Sequence, residues 1–171
     1  SFAVTLRGWA PPRNRDSEDA SLGDVDGDGD LDLIIVSEDD RIDTYLLNDG
    51  GGTFQEADAE LPVADVSNAA ILADLDDDGD LDLLIGNNGP NTLLLNDGTG
   101  GFSLDPAFPG GQDVTQDLEM GDVNGDGCPD IVVANEGTDR LLIALGGGAF
   151  QDVTEERLAQ DDPGETRDAA L

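Results

Sequence analysis

The stretch that decides the fold is Asp24-Val25-Asp26-Gly27-Asp28-Gly29-Asp30-Leu31-Asp32, which runs directly into Leu33-Ile34-Ile35-Val36. Fifty residues later it returns as Asp74-Leu75-Asp76-Asp77-Asp78-Gly79-Asp80-Leu81-Asp82 before Leu83-Leu84-Ile85. A further 48 residues on it reads Asp122-Val123-Asn124-Gly125-Asp126-Gly127-Cys128-Pro129-Asp130 before Ile131-Val132-Val133. A second marker keeps time with it: Phe54, Phe102 and Phe150 each close a Gly-rich turn and stand 48 residues apart. Markers in constant order at one period define an internal repeat.

Each unit reads as four short strands. The first is small and mixed: 20–23, 69–73 and 118–121. The Asp-rich turn follows, then an apolar run at 31–36, 81–85 and 131–134, of the kind that suits a strand buried on both faces. A third strand is expected over 42–47, 92–95 and 140–144, then a glycine turn, then a fourth strand opening at the marker Phe. Only Glu155–Gln160 suggests a helical turn. Four strands repeated every 40 to 50 residues mark β-propeller blades. The expected fold is therefore all-β: three four-stranded blades plus partial blades at both ends. The units fall at 1–17 (strand and insert of a preceding blade), 18–58, 65–106, 114–154 and 155–171 (the start of a fourth).

The Asp-x-Asp-x-Asp-Gly-x-x-Asp loop entering an apolar strand resembles the FG-GAP/VCBS repeats of integrin-type propellers. The tails Leu47-Asn48-Asp49-Gly50-Gly51-Gly52-Thr53-Phe54 and Leu95-Asn96-Asp97-Gly98-Thr99-Gly100-Gly101-Phe102 resemble the bacterial VCBS form. The third unit departs from it: 142–148 lacks the Asn-Asp-Gly tail, and its loop carries Asn124 and Cys128-Pro129.

Calcium takes six to eight oxygens at flexible geometry. A nine-residue loop with oxygens at alternate positions can curl around it, and Gly29, Gly79 and Gly127 stand at the sixth position, where the turn is sharpest. The first loop would offer the side chains of Asp24, Asp26, Asp28 and Asp32 with the carbonyl of Asp30, whose side chain would then point outward. The second would offer Asp74, Asp76, Asp78, Asp82 and the carbonyl of Asp80. The third would offer Asp122, Asn124, Asp126, Asp130 and the carbonyl of Cys128, and with one carboxylate fewer it should bind most weakly. The resemblance implies the same assignment. An EF-hand is excluded, because its twelfth-position Glu is replaced here by Ile35, Ile85 and Val133 and strands follow. A dockerin opens much like 121–127, but its repeats are short and helical. Turns without an ion, and magnesium or manganese in place of calcium, are the remaining alternatives. Crowded carboxylates repel unless a cation neutralises them, which favours an ion.

Composition narrows the function. The chain has 171 residues, with 40 acids against 7 bases and a formal charge of −33. The acids are 31 Asp and 9 Glu, and every base is Arg. Nucleic acid and anionic membrane surfaces need the opposite charge. No apolar run is long enough to insert in a membrane. His is absent, and one Cys cannot pair within the chain. With no evident base beside a Ser or Cys, and most acids committed to the loops, a non-enzyme is expected. Weak calcium sites fill only near millimolar calcium, so the expected location is extracellular or at the cell surface.

Phe54, Phe102 and Phe150 should pack blade against blade, and Leu22, Leu72 and Met120, at equivalent positions, should be core. The loop end opposite the Asp turns carries Arg13, Arg15, Arg41, Asn87, Asn88, Asn91, Asn135 and Arg140, a candidate recognition face. Integrin-type propellers bind partners at that end, and the resemblance implies the same face here. Trp9 and Tyr45 could each stack on a sugar. Phe2–Leu6 reads as a fourth strand, and Asp168–Leu171 as a first strand. Three blades do not close a ring. The expected partners are therefore calcium, other copies of the chain or the rest of a longer one, and a protein or glycan ligand. The expected role is a calcium-stabilised module of assembly or adhesion, with filaments one outcome of head-to-tail contact. The alternatives are a lectin-like propeller and an accessory domain of a polysaccharide-acting enzyme.

Overall fold

The computed structural model describes residues 17–38, 43–58, 61–62 and 66–158. Both terminal strands expected at Phe2–Leu6 and Asp168–Leu171 lie outside these residues, as do Trp9, Arg13, Arg15 and Arg41.

Three four-stranded sheets follow one another along the chain, each a meander in strand order. The first holds β1 (Ser17–Gly23), β2 (Asp32–Ser37), β3 (Thr44–Asn48) and β4 (Phe54–Glu56). The second holds β5 (Ser67–Ala73), β6 (Asp82–Asn87), β7 (Thr92–Asn96) and β8 (Phe102–Leu104). The third holds β9 (Val114–Gly121), β10 (Asp130–Glu136), β11 (Arg140–Ala144) and β12 (Phe150–Asp152). All pairings are antiparallel. These are the blades read from the sequence, and each fourth strand begins at its marker Phe. The first strands run longer than expected. An irregularity in the same place of each, at Glu18, Asn68 and Gln116, lets the strand continue past the polar residues that hide its start. A short helix, α1 (Thr154–Arg157), follows β12.

The core lies between sheets rather than within one. The back face of sheet 1, with Ile34, Val36 and Tyr45, meets the front face of sheet 2, with Ala70, Leu83, Ile85 and Leu94. The back of sheet 2, with Ala69, Leu84 and Leu93, meets Leu118, Ile131, Val133 and Leu142 of sheet 3. Gly86 sits at this second seam because a Cβ there would come within 2.6 Å of Thr115 Cγ2. The back of sheet 3 is covered by Val153 and Leu158, the residues flanking α1. First strands lie next to one another: Ala70 N–H donates to Asp19 Oδ2 at 3.0 Å, Ser21 Oγ donates to Ala70 O, and Asn68 Nδ2 donates to Thr115 O.

The marker phenylalanines pack as expected. Phe54 is buried, Phe102 stands edge-on to Tyr45 of sheet 1 at 5.8 Å, and Phe150 stands edge-on to Phe108 at 5.6 Å. Leu22 corrects the expectation. Leu72 and Met120 pack into the two seams, but Leu22 is 59% exposed. Its face is the front of sheet 1, and among the described residues no sheet precedes it. Val123 shows the same effect at the other end. It is 45% exposed, where the equivalent Val25 and Leu75 are buried under the next sheet.

Candidate metal centres

Each Asp turn is a relay of short hydrogen bonds that pulls alternate side chains inward. Asp24 Oδ2 accepts from Gly29 N at 3.0 Å, Asp26 Oδ1 from Asp28 N at 3.2 Å, and Asp28 Oδ1 from Asp30 N at 2.9 Å. The second turn repeats this with Gly79 N to Asp74, Asp78 N to Asp76 and Asp80 N to Asp78. The sixth-position glycines take φ of +95° in the first turn and +100° in the second, a conformation side chains disfavour. As a result, carboxylate oxygens of Asp24, Asp26 and Asp28 lie within 4.8 Å of one another, and so do those of Asp74, Asp76 and Asp78.

The donor set fits a hard cation. In the first triad Asp24 Oδ1 is buried with no hydrogen-bond partner. Burial pushes the carboxyls of Asp26 and Asp76 up, and the charges of neighbouring Asp residues push in the same direction. An ion at either triad would be held by the three carboxylates, and it would supply the positive charge they lack.

The third turn keeps the relay, with Gly127 N to Asp122, Asp126 N to Asn124 and Cys128 N to Asp126, but carries an amide where the others carry a carboxylate, so it offers two carboxylates rather than three. Asp122 Oδ1 accepts from Gly125 and Asp126, and its Oδ2 accepts from Gly127. These donors, Gly127 first, hold its carboxyl below the usual range. Asn124 Nδ2 donates to Asp126 Oδ2 at 2.8 Å, a contact that an aspartate at that position could not make. Burial and the surrounding carboxylates push the Cys128 thiol up, which keeps it protonated.

The ninth-position residues are held by the backbone on both oxygens. Asp32, Asp82 and Asp130 are wholly buried. In each, one oxygen accepts from the second residue of the loop and the other from the end of the third strand: Val25 and Asn48, Leu75 and Asn96, Val123 and Ala144, all at 2.9–3.0 Å. They brace the loop onto the sheet and stand outside the triads. The side chains of Asp30 and Asp80 lie against the glycine turn of their own sheet, and a Cβ on Gly50 or Gly98 would collide with them.

Sequence reasoning missed the residues that join one sheet's Asp loop to the next sheet's glycine turn. Asn96 Nδ2 donates to Val25 O across the first seam at 2.8 Å, and its Oδ1 accepts from Gly98 and Gly100. The third unit has Ala144 at this position, and there Asp77 reaches over instead: its Oδ2 accepts from Gly147 N at 3.1 Å. Asp77 takes φ +66° to do so, where the other loops have Gly27 and Gly125. The missing Asn-Asp-Gly tail was the available signal.

The opposite loop end is mostly committed to the fold. Asn87, Asn91 and Asn135 are buried. Asn87 N donates to Asn91 Oδ1, Asn135 Nδ2 donates to Thr138 O, and Thr115 Oγ1 bridges Asn91 and Asn135. Arg140 is clamped between Asp113 and Asp152, at 2.8 Å from each. Asn88 remains exposed there.

A pH dependence follows from the raised carboxyls of Asp26, Asp76 and Asp82, each raised by burial first. A raised folded pKa stabilises below the ordinary value of 3.8 and is lost as pH climbs through the raised value. Asp49, Asp97 and Asp122, held low by backbone and Thr donors, act in the opposite sense below 3.8. Metal-free protein should therefore be most stable near the ordinary carboxyl value and weaken as pH rises from there. Calcium should remove that decline. Denaturant unfolding of dialysed protein across the acid range measures it, and stability that climbs steadily to neutral pH without metal would contradict it.

A sequence profile described as FG-GAP-like repeat matches the chain three times, over residues 24–85, 74–133 and 122–170. No curated protein matches it in sequence. Among solved structures, an Agrocybe aegerita lectin described by specific recognition of non-reducing terminal N-acetylglucosamine aligns with a TM-score of 0.53 and 24% identity. The alignment covers 81% of this chain and 38% of the lectin chain, and it shows a shared fold. A chain of the Photorhabdus luminescens Tc holotoxin pore aligns with a TM-score of 0.49 and 23% identity, over 78% of this chain and 7% of its own.

Proposed function

The chain belongs to the FG-GAP-like repeat family, and from that premise we propose that it is an extracellular, calcium-stabilised, non-enzymatic module of assembly or adhesion. The observation that carries this is the position of the two acid triads at the seams. Each lies in a loop whose neighbouring residues touch the glycine turn of the next sheet. An ion in that loop stiffens both the hairpin and the contact with the following blade. Calcium is the occupant that best suits flexible all-oxygen loops, and the first two fill before the third. Sites of this kind need calcium near millimolar, which supports an extracellular setting.

The assembly reading rests on the front of sheet 1. Leu22 is exposed there, at the position that carries Leu72 and Met120 inside the seams. A face patterned like a buried one accepts what the buried ones accept, so the proposed occupant is a blade of a second copy. In calcium, the protein should elute larger than its 17.8 kDa monomer, and Leu22→Glu should return it to monomer size. A monomer that ignores both calcium and the substitution would refute assembly.

A lectin role is the second reading, favoured by the shared fold with a protein that recognises terminal N-acetylglucosamine. A polar groove of about 460 Å³, lined by Thr138, Arg140, Glu155 and Glu156 among others, offers a place for a sugar. A glycan array including terminal N-acetylglucosamine separates the two readings, and no binding across it would remove the lectin.

A further inference from the structure

The first acid triad has a neighbour that the second lacks. Tyr45 on β3 is 5% exposed, and its hydroxyl has no hydrogen-bond partner. Its ring is fixed at 5.8 Å and 68° to Phe102. The hydroxyl reaches the seam where the first Asp loop meets the glycine turn of sheet 2. A Cβ placed on Gly100 would collide with that hydroxyl and would stand 3.5 Å from Cβ of Asp26. Phenol and triad thus converge on one point.

Packing alone does not call for an oxygen there. Tyr45 pairs with Ile34, and the equivalent partners of Leu84 and Val132 are Leu93 and Leu141. The other two sheets fill this position with leucine. A buried hydroxyl without a partner loses its hydration and gains nothing in return. The same loop holds a second orphan, Asp24 Oδ1. An unpartnered donor and an unpartnered acceptor beside one loop are both satisfied by an ion and its water. Calcium takes six to eight oxygens; with each carboxylate binding through one oxygen, a triad and a carbonyl provide four, and water completes the shell.

We propose that Tyr45 is a positioning residue of the first metal site, its hydroxyl donating to a water in the outer shell of the cation held by Asp24, Asp26 and Asp28. This rests on the metal reading above and deepens it. It makes the first site chemically distinct from the second, and it ties that site to the seam between sheets 1 and 2.

The test is a calorimetric calcium titration of the full chain and of Tyr45→Phe, which removes only the hydroxyl. One binding event should weaken about three- to tenfold, the usual range for a lost hydrogen bond, while the others keep their affinity. Metal-free stability should stay level or rise, because the orphan is gone. Tyr45 is the single tyrosine, so its near-ultraviolet difference spectrum should respond to calcium and saturate with the event that the substitution weakens. Wild-type affinities at every site in Tyr45→Phe, or a tyrosine spectrum unmoved at saturating calcium, would overturn the proposal. A wild-type chain that binds no calcium would overturn the metal reading itself, a different result.

Discussion

Asp82→Ala is expected to lower the free energy of unfolding by about 4 kcal/mol, a large share of a marginal domain's stability. Asp82 is wholly buried and accepts from Leu75 N and Asn96 N, both at 2.9 Å. Alanine leaves both donors buried and unpaired, at about 1–3 kcal/mol each. Part of the loss is offset, because burial already makes the Asp82 charge unfavourable and pushes its pKa up. Asp82→Asn separates the contributions. Its amide has one acceptor oxygen and turns an NH2 toward the other donor, so about half the loss should appear. Asp32 and Asp130 make the same two contacts and should behave alike. Equilibrium denaturation with and without calcium measures the effect. A change under about 1 kcal/mol in Asp82→Ala would show that water, not the carboxylate, can serve those N–H groups.

Chelation is expected to remove about 3 kcal/mol from the same unfolding free energy. Two sites with dissociation constants near 10⁻⁴ M, held at about 1 mM calcium, each contribute roughly 1.4 kcal/mol. The third loop, when filled, brings the sum to about 4 kcal/mol. One further feature sets the sign. The triad carboxylates sit within 4.8 Å of one another, so the metal-free state carries their repulsion. Salt alone should relieve part of that repulsion, which makes sodium chloride a control rather than a substitute. Replacing Asp24 and Asp74 together with Asn should abolish most of the calcium dependence while leaving the braces of Asp32 and Asp82 in place. An unfolding curve identical in calcium and in chelator would remove the structural role of the ion.

Much of this was legible in the residues. The Asp turns, the sixth-position glycines and the marker phenylalanines are local devices, and local devices keep their meaning wherever the chain carries them. Hence the strand order came out as read. The braces did not. Asp32 and Asp24 are the same residue type at alternate positions of one motif, and nothing in the spacing says that both oxygens of Asp32 accept backbone N–H groups while Asp24 keeps one buried oxygen without a partner. Part of the candidate recognition face is committed to the fold for a related reason. Asn87, Asn91 and Asn135 look like solvated loop residues, but Thr115 of sheet 3 links Asn91 of sheet 2 and Asn135 of its own sheet into a buried network.

The sequence by itself determined the repeat, its four strands, and the corners where acids collect, because turn chemistry and alternation are properties of short segments. Which leucine is core, which carboxylate oxygen is free, and which turn touches which loop were decided only in three dimensions. Alternation assigns a side chain to a face of its sheet, but whether another sheet covers that face is a fact about a neighbour. Leu22 and Leu72 occupy one position in the repeat, and among the described residues only the second has a sheet in front of it.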